Sequence, residues 1–326
     1  MNNMDNATEK MQGVPLKKRI FSSDSTYLLI GLVVYIIIIA VIAPNFATPY
    51  NFSIVMEQLA VPGILAVGMC MVMIAGGIDL SVGNQLSFIA CLMSYFIINS
   101  DQVFPGVIIG VLVCIGCSTL MGLLISRTRM EPFIVSVAFM TIYKGLAYII
   151  TSGAEYPIPG RIGFATSVRF LTLPLMVYIM IGVFVAFALI IRFTRFGRWL
   201  YAVGDNAEAS FLSGINVKNF KLKTYVINGC LVALASVLML SRNEVGNPNL
   251  GVDLEIRAIA SAVVGGTALA GGKGTILGTF LGTVWMGIVS NSLNIIGVST
   301  FYQYVVTGCI IIGAVFVNQL RYKNES

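Results

Sequence analysis

Long apolar stretches separated by short polar breaks run along nearly the whole of this chain. Residues 27–43, 54–75, 103–126, 132–151, 171–193, 225–240 and 275–296 form runs with few or no charges, long enough to cross a hydrocarbon core of roughly 30 Å as helices. Shorter or glycine-interrupted runs at 85–98, 258–270 and 301–317 add weaker candidates. The pattern predicts an all-α polytopic membrane protein of about ten transmembrane helices. It divides the chain into a polar tail (1–26), a membrane domain (27–318) whose longest loop between spans is 194–224, and a short tail (319–326).

Composition agrees. Of 326 residues, 57% are hydrophobic and 10% charged, with mean hydropathy +0.89, against roughly 25% charged in soluble domains. The first apolar run has no small-residue cleavage site behind it, so it is expected to stay as an anchor in the lipid bilayer. If the N-terminus is cytoplasmic, Lys10, Lys17, Lys18, Arg19, Arg127, Arg129, Lys273, Arg321, Lys323 and the basic residues from Arg192 to Lys223 share its side. Only Arg161, Arg169, Arg242 and Arg257 then lie outside. The positive-inside rule therefore places both termini in the cytoplasm. The net charge of +6 reads as topology and not as nucleic-acid binding. The six cysteines fall in or beside apolar runs and read as small packing residues; Cys114 and Cys117 form a CxxC without the βαβ setting of a redox motif.

The absence of histidine removes metalloprotease HExxH sites, histidine triads and most zinc or haem sites. No catalytic residue, cofactor or metal is expected. GGTALAGGKGT (265–275) nearly matches a phosphate loop, but Thr267 stands where a glycine is needed and Gly274 where Ser or Thr is needed. ATP hydrolysis must then come from another polypeptide, unless the chain runs on an ion gradient. For such a secondary transporter, Glu57, Asp79 and Lys144 are the only intramembrane candidates.

Three segments stand out. In AGGIDLSVG (75–83), Gly76, Gly77 and Gly83 permit broken backbone around one carboxylate, Asp79. Either this is a solvated turn with Asp79 capping a helix that starts near Leu80, or it is an element of a translocation path or gate. In the basic loop 194–224, Asn206 or Asp205 suits an N-cap, Glu208 a first turn, and Gly214 the position after a helix end. Phe211, Leu212 and Ile215 give that short helix an apolar edge, which rests on the membrane or docks into a partner. The third segment, 246–278, mixes Asn247, Asp253, Glu255 and Arg257 with a Gly/Ala-rich run that suits close helix packing.

Five blocks in order, PNFATPYNF (44–52), LAVGMCMVMIAGGIDLSVG (65–83), TRFGRWLYAVGDNAEASFLSGI (194–215), IRAIASAVVGGTALAGGKGTILGT (256–279) and NSLNIIGVSTFYQ (291–303), resemble the permease subunits of bacterial sugar ABC importers of the ribose, galactose and xylose type. The resemblance runs nearly end to end. It implies a type II ABC importer-like permease in the bacterial inner membrane, a transport subunit and not an enzyme. Its implied partners are an ABC ATPase subunit, an extracytoplasmic sugar-binding protein and a second permease copy, identical or related.

The same resemblance makes 204–215 similar to the family's coupling helix, with Gly204, Asn206, Ala209, Ser213, Gly214 and Ile215 matching its pattern and Arg195 and Arg198 meeting the ATPase. Two departures are Arg257, where an acid is usual, and a shorter loop at 152–169. Beside Gly76, Gly77 and Gly83, the expected path or gate residues are Asp79, Ser81, Asn84, Asn291, Asn294 and Gln303, whose mostly uncharged amides and hydroxyls suit a neutral monosaccharide. An ion-gradient-coupled sugar transporter is the alternative.

Overall fold

A computed structural model describes residues 23–128 and 130–323, and the surroundings of side chains between residues 26 and 316. Lys10, Lys17, Lys18, Arg19 and Arg129, which enter the orientation argument, lie outside the described residues, as do the side chains of Arg321 and Lys323.

The chain begins with α1 (Ser23–Ile42), a 3₁₀ turn (Pro44–Ala47), α2 (Pro49–Ile74), α3 (Val82–Ser100), α4 (Val103–Arg127) and α5 (Pro132–Thr151). A connector carries β1 (Tyr156–Pro157), α6 (Phe164–Ser167), β2 (Arg169–Phe170) and β3 (Leu173–Pro174). Next come α7 (Leu175–Phe193), α8 (Arg195–Asp205), α9 (Ala207–Leu212) and α10 (Val217–Asn243). The chain closes with β4 (Val245–Gly246), α11 (Leu254–Val264), α12 (Ile276–Ile295) and α13 (Thr300–Lys323).

Among the described residues, seven helices (α2, α3, α4, α5, α7, α10 and α12) are long and apolar enough to cross a membrane, and α1 and α13 carry shorter apolar stretches. The remaining expected span, 258–270, differs. There α11 has 11 residues, about 16 Å at 1.5 Å per residue, so it reaches only part of the way across. Its C-cap is Gly265, and Gly266 turns the chain away at φ 87°.

Helix α2 is apolar around its whole circumference, and nearly every residue from Leu59 to Ile74 is buried by α7, α10, α11 and α12. A helix without a polar face belongs inside. The most apolar helices, α4 and α7, are among the least buried. They turn Leu112, Leu120, Val185 and Leu189 outward, which costs nothing where lipid tails are as apolar as leucine. Small residues set the closest crossings: a Cβ on Gly229 of α10 would lie 2.4 Å from the Ser118 side chain of α4, and one on Gly282 of α12 would lie 2.1 Å from the Ser261 carbonyl of α11.

The end of the bundle away from α8 and α9 is closed by the connector. Tyr156 of β1 pairs antiparallel opposite Gly246 of β4, and the Ala165 amide donates to Ser241 Oγ at 2.9 Å. Glu57 meets Arg242 at 3.3 Å and Arg169 at 3.8 Å, which ties the start of α2 to α10 and to the β2–β3 hairpin.

Candidate functional site

The segment AGGIDLSVG leaves α2 through a tight turn, with the amides of Ala75, Gly76 and Gly77 donating back to the carbonyls of Met71, Met73 and Val72. The chain then runs without helix to α3. Asp79 is fully buried. Its Oδ1 accepts from the Ser81 amide at 2.9 Å and the Ser81 hydroxyl at 2.6 Å, and its Oδ2 accepts from Asn228 Nδ2 at 2.8 Å. Asn228 lies in α10 against Gly68 of α2, so the carboxylate sits inside the bundle.

This burial corrects the reading of Asp79 as a solvated cap. The helix starts at Val82 and not near Leu80, with Ser81 in the N-cap position and no side-chain cap bond. Gly83 presses on the Gly251 carbonyl and on Glu255, and Asn84 is buried. Gln85 Nε2 extends the polar seam, donating to Ser118 Oγ at 2.8 Å and the Cys114 carbonyl at 3.0 Å. Sequence reasoning missed Gln85, Ser118 and Asn228; their signal was a polar residue inside an apolar run.

A separate cleft of about 70 Å³ opens between α2, α11, α12 and α13, and Gln58, Arg257, Ser261, Thr283, Gln303 and Thr307 are among its lining residues. Pro62 and Gly287, which also line it, stand near the midpoints of α2 and α12, while Arg257 and Gln303 stand in the first turns of α11 and α13, so the cleft runs from those helix starts to the middle of the bundle. No carboxylate lines it. Arg257 is exposed in it, and among the described residues its guanidinium has no hydrogen-bond or ion-pair partner. A cation and several amides and hydroxyls there face water or protein, because lipid does not solvate them.

Of the expected path residues, Gln303 reaches the cleft. It is held by bonds from its Nε2 to Asn294 Oδ1 at 2.7 Å and to the Val298 carbonyl at 3.1 Å. Asn291 is buried and exchanges two hydrogen bonds with Asn51, at 2.9 and 3.0 Å, which pins α12 to α2. Gly76, Gly77, Asp79, Ser81, Gly83 and Asn84 are not among the residues lining the cleft. Arg257, Gln58, Ser261 and Thr283 were not singled out as path residues, because nothing in one sequence says that their helices meet.

The basic loop carries an unexpected helix, α8, which buries Leu200 and Val203 and leaves Arg195 and Arg198 exposed. The expected short helix follows as α9. Asn206 caps it, accepting from the Ala209 amide at 2.9 Å, and Gly214 follows at φ 85°. Phe211 and Leu212 are 67% and 80% exposed, beside the exposed Ala209, Ser213 and Gly214 and the half-buried Ile215.

A bundle of helices long and apolar enough to cross a membrane, around a polar cleft that no carboxylate lines, suits a membrane permease. Over residues 51–315 the chain matches the family described as "Branched-chain amino acid transport system / permease component". It belongs to that family and is a multi-pass membrane transport component, not an enzyme.

Curated relatives include the ribose import permease protein RbsC of Bacillus subtilis (strain 168), 38% identical over 297 residues that cover 90% of this chain and 92% of the relative. RbsC of Escherichia coli (strain K12) is 35% identical over 302 residues, covering 90% and 93%. The L-arabinose transport system permease protein AraH of Escherichia coli (strain K12) is 31% identical over 304 residues, covering 93% and 92%. No solved structure matches the chain.

Proposed function

We propose that this chain is the permease subunit of an ATP-driven importer of a neutral monosaccharide of pentose size, with the substrate crossing along the cleft between α2, α11, α12 and α13. The observation that carries the reading is the cleft itself: Arg257 stands exposed in it beside Gln58 and Gln303, between four apolar helices. Such groups do not face lipid. A second copy, identical or related, covers them, and the path runs between the two. Amides, hydroxyls and guanidinium donors without a carboxylate suit the hydroxyls of a sugar and reject cations. Relatives named for ribose and L-arabinose support a pentose.

The α8–α9 end faces the cytoplasm together with both termini, and the exposed Phe211–Leu212 edge of α9 docks into an ATPase subunit, with Arg195 and Arg198 beside it. The chain lies in the bacterial inner membrane, and its β2–β3 end faces an extracytoplasmic sugar-binding protein. Gly76, Gly77, Asp79, Ser81, Gly83 and Asn84 form the brace of the gate behind the path, and Asn291 and Asn294 hold its outer wall.

The test is uptake of a radiolabelled pentose and hexose panel into proteoliposomes, with and without the ATPase, with ATP enclosed and binding protein outside. Transport of a pentose only in the complete, ATP-loaded system is expected. Uptake by the chain alone under an ion gradient refutes the reading in favour of a secondary transporter.

A further inference from the structure

Three segments far apart in sequence meet backbone to backbone where α8 reaches the end of α2. Gly204, in the last turn of α8, lies so close to the Ile74 carbonyl that a Cβ there would stand 1.7 Å from the oxygen and 2.8 Å from the Gly272 nitrogen. That carbonyl belongs to the last turn of α2, where intrahelical donors run out, and it accepts from the Gly272 amide at 2.9 Å. A Cβ on Gly271 would lie 2.9 Å from the Gly204 carbonyl oxygen and 3.0 Å from Gly76 Cα. The Tyr201 hydroxyl adds a tie, donating to the Gly274 carbonyl at 2.7 Å. Burial pushes this phenol up to about 12, so it remains a donor at neutral pH.

The junction is joined stiffly to the exposed helix. Asn206 alone separates α8 from α9; its amide donates to the Ala202 carbonyl at 3.1 Å, and its side chain accepts from the Ala209 amide at 2.9 Å. The two helices therefore share Asn206 as a common cap residue. In the other direction, Gly271 and Gly272 lie in the link between α11 and α12, which supply Arg257, Ser261 and Thr283 to the cleft. Gly76 opens the segment that leads to Asp79.

We propose that this glycine junction passes displacement of α8 and α9 to the cleft, with Gly204, Gly271 and Gly272 as positioning residues that let three backbones bear directly on one another. The inference rests on the importer reading above. A side chain in the junction is a spacer: it separates surfaces that now touch and slackens the bearing, while the Phe211–Leu212 edge stays as it is.

Gly272→Ala tests this in the complete importer, reconstituted in proteoliposomes with its ATPase and binding protein. Association with the ATPase and basal hydrolysis are expected to persist. Stimulation of hydrolysis by sugar-loaded binding protein is expected to vanish, and sugar moved per ATP to fall about tenfold, within the range that residues along a coupling route command. Because φ is 72° at Gly272, alanine is strained there, so Tyr201→Phe is measured alongside; it removes one tie without bulk or strain and lowers the same ratio by about twofold.

A reduced ratio in either variant that assembles supports the junction, and if Gly272→Ala does not assemble, Tyr201→Phe decides alone. A wild-type ratio in every assembled variant overturns it. Wild-type vesicles are scored first: failure of ATP-dependent uptake there refutes the importer reading and not the junction.

Discussion

Replacing Asp79 with alanine removes the acceptor of three donors at once: the Ser81 amide (2.9 Å), the Ser81 hydroxyl (2.6 Å) and Asn228 Nδ2 (2.8 Å). The hydroxyl turns to Met121 Sδ, already 3.6 Å away. Two amide donors stay unpaired in an apolar interior, each costing about 1–3 kcal/mol. Asparagine at position 79 is the matched control, since it also removes the carboxylate. It keeps Oδ1 for Ser81, and the Asn228 amide turns over so that its Oδ1, partnerless in the wild type, accepts from the new side chain. Asn228 Nδ2 stays unpaired in both variants, so they differ by the one Ser81 amide, and alanine is less stable than asparagine by about 1–3 kcal/mol.

At about 2 °C per kcal/mol for a chain of this size, that is a gap of roughly 2–6 °C in Tm. The assay is thermal unfolding in detergent, followed by reaction of a maleimide dye with the buried Cys70, Cys91 and Cys114. The asparagine variant unfolds at or above the wild-type temperature, because burying a carboxylate in a membrane interior is costly. Equal Tm values for the two variants, or an asparagine variant that falls as far as alanine, refute the network as drawn.

Glutamate at both Phe211 and Leu212 abolishes co-purification with the ATPase while shifting Tm by less than about 2 °C, since both side chains are exposed and exposed changes cost about 0.5 kcal/mol or less each. Arg257→Leu raises the sugar concentration for half-maximal uptake about tenfold or more, the loss of a charged hydrogen bond being worth about 1.5–3 kcal/mol; concentration-dependent uptake into proteoliposomes checks it. Gly229→Leu drives a side chain into Ser118, where a Cβ alone would stand at 2.4 Å. Overpacking of about 1–3 kcal/mol or more then separates α4 from α10, seen as loss of the monodisperse peak on size-exclusion chromatography.

The helices were legible because apolarity and capping are written locally. Each of the ten apolar runs contains a helix, and Asn206, Glu208 and Gly214 stand at the cap, first turn and exit of α9. The limits of legibility are equally physical. Mean apolarity does not separate a core helix from a lipid-facing one, since both environments accept leucine; α2 and α5 read alike and are buried very differently. Helix α8 was missed because its apolar run, Trp199 to Val203, is too short to cross a membrane and follows Arg195, Gly197 and Arg198.

By itself the sequence determined that this protein lives in a membrane, that its backbone is helical, and that a chain break falls at Gly76–Gly77, because each follows from the solvation of residues next to one another in the chain. Only the tertiary structure decided what that break does. It ended α11 part-way across, brought Asn228 to Asp79 across 149 positions, set Gly204 against Ile74 and Gly272, and turned Arg257 and Gln303 into one cleft. These are packing outcomes between distant segments, fixed by which small residues let two backbones close and which polar groups then find each other.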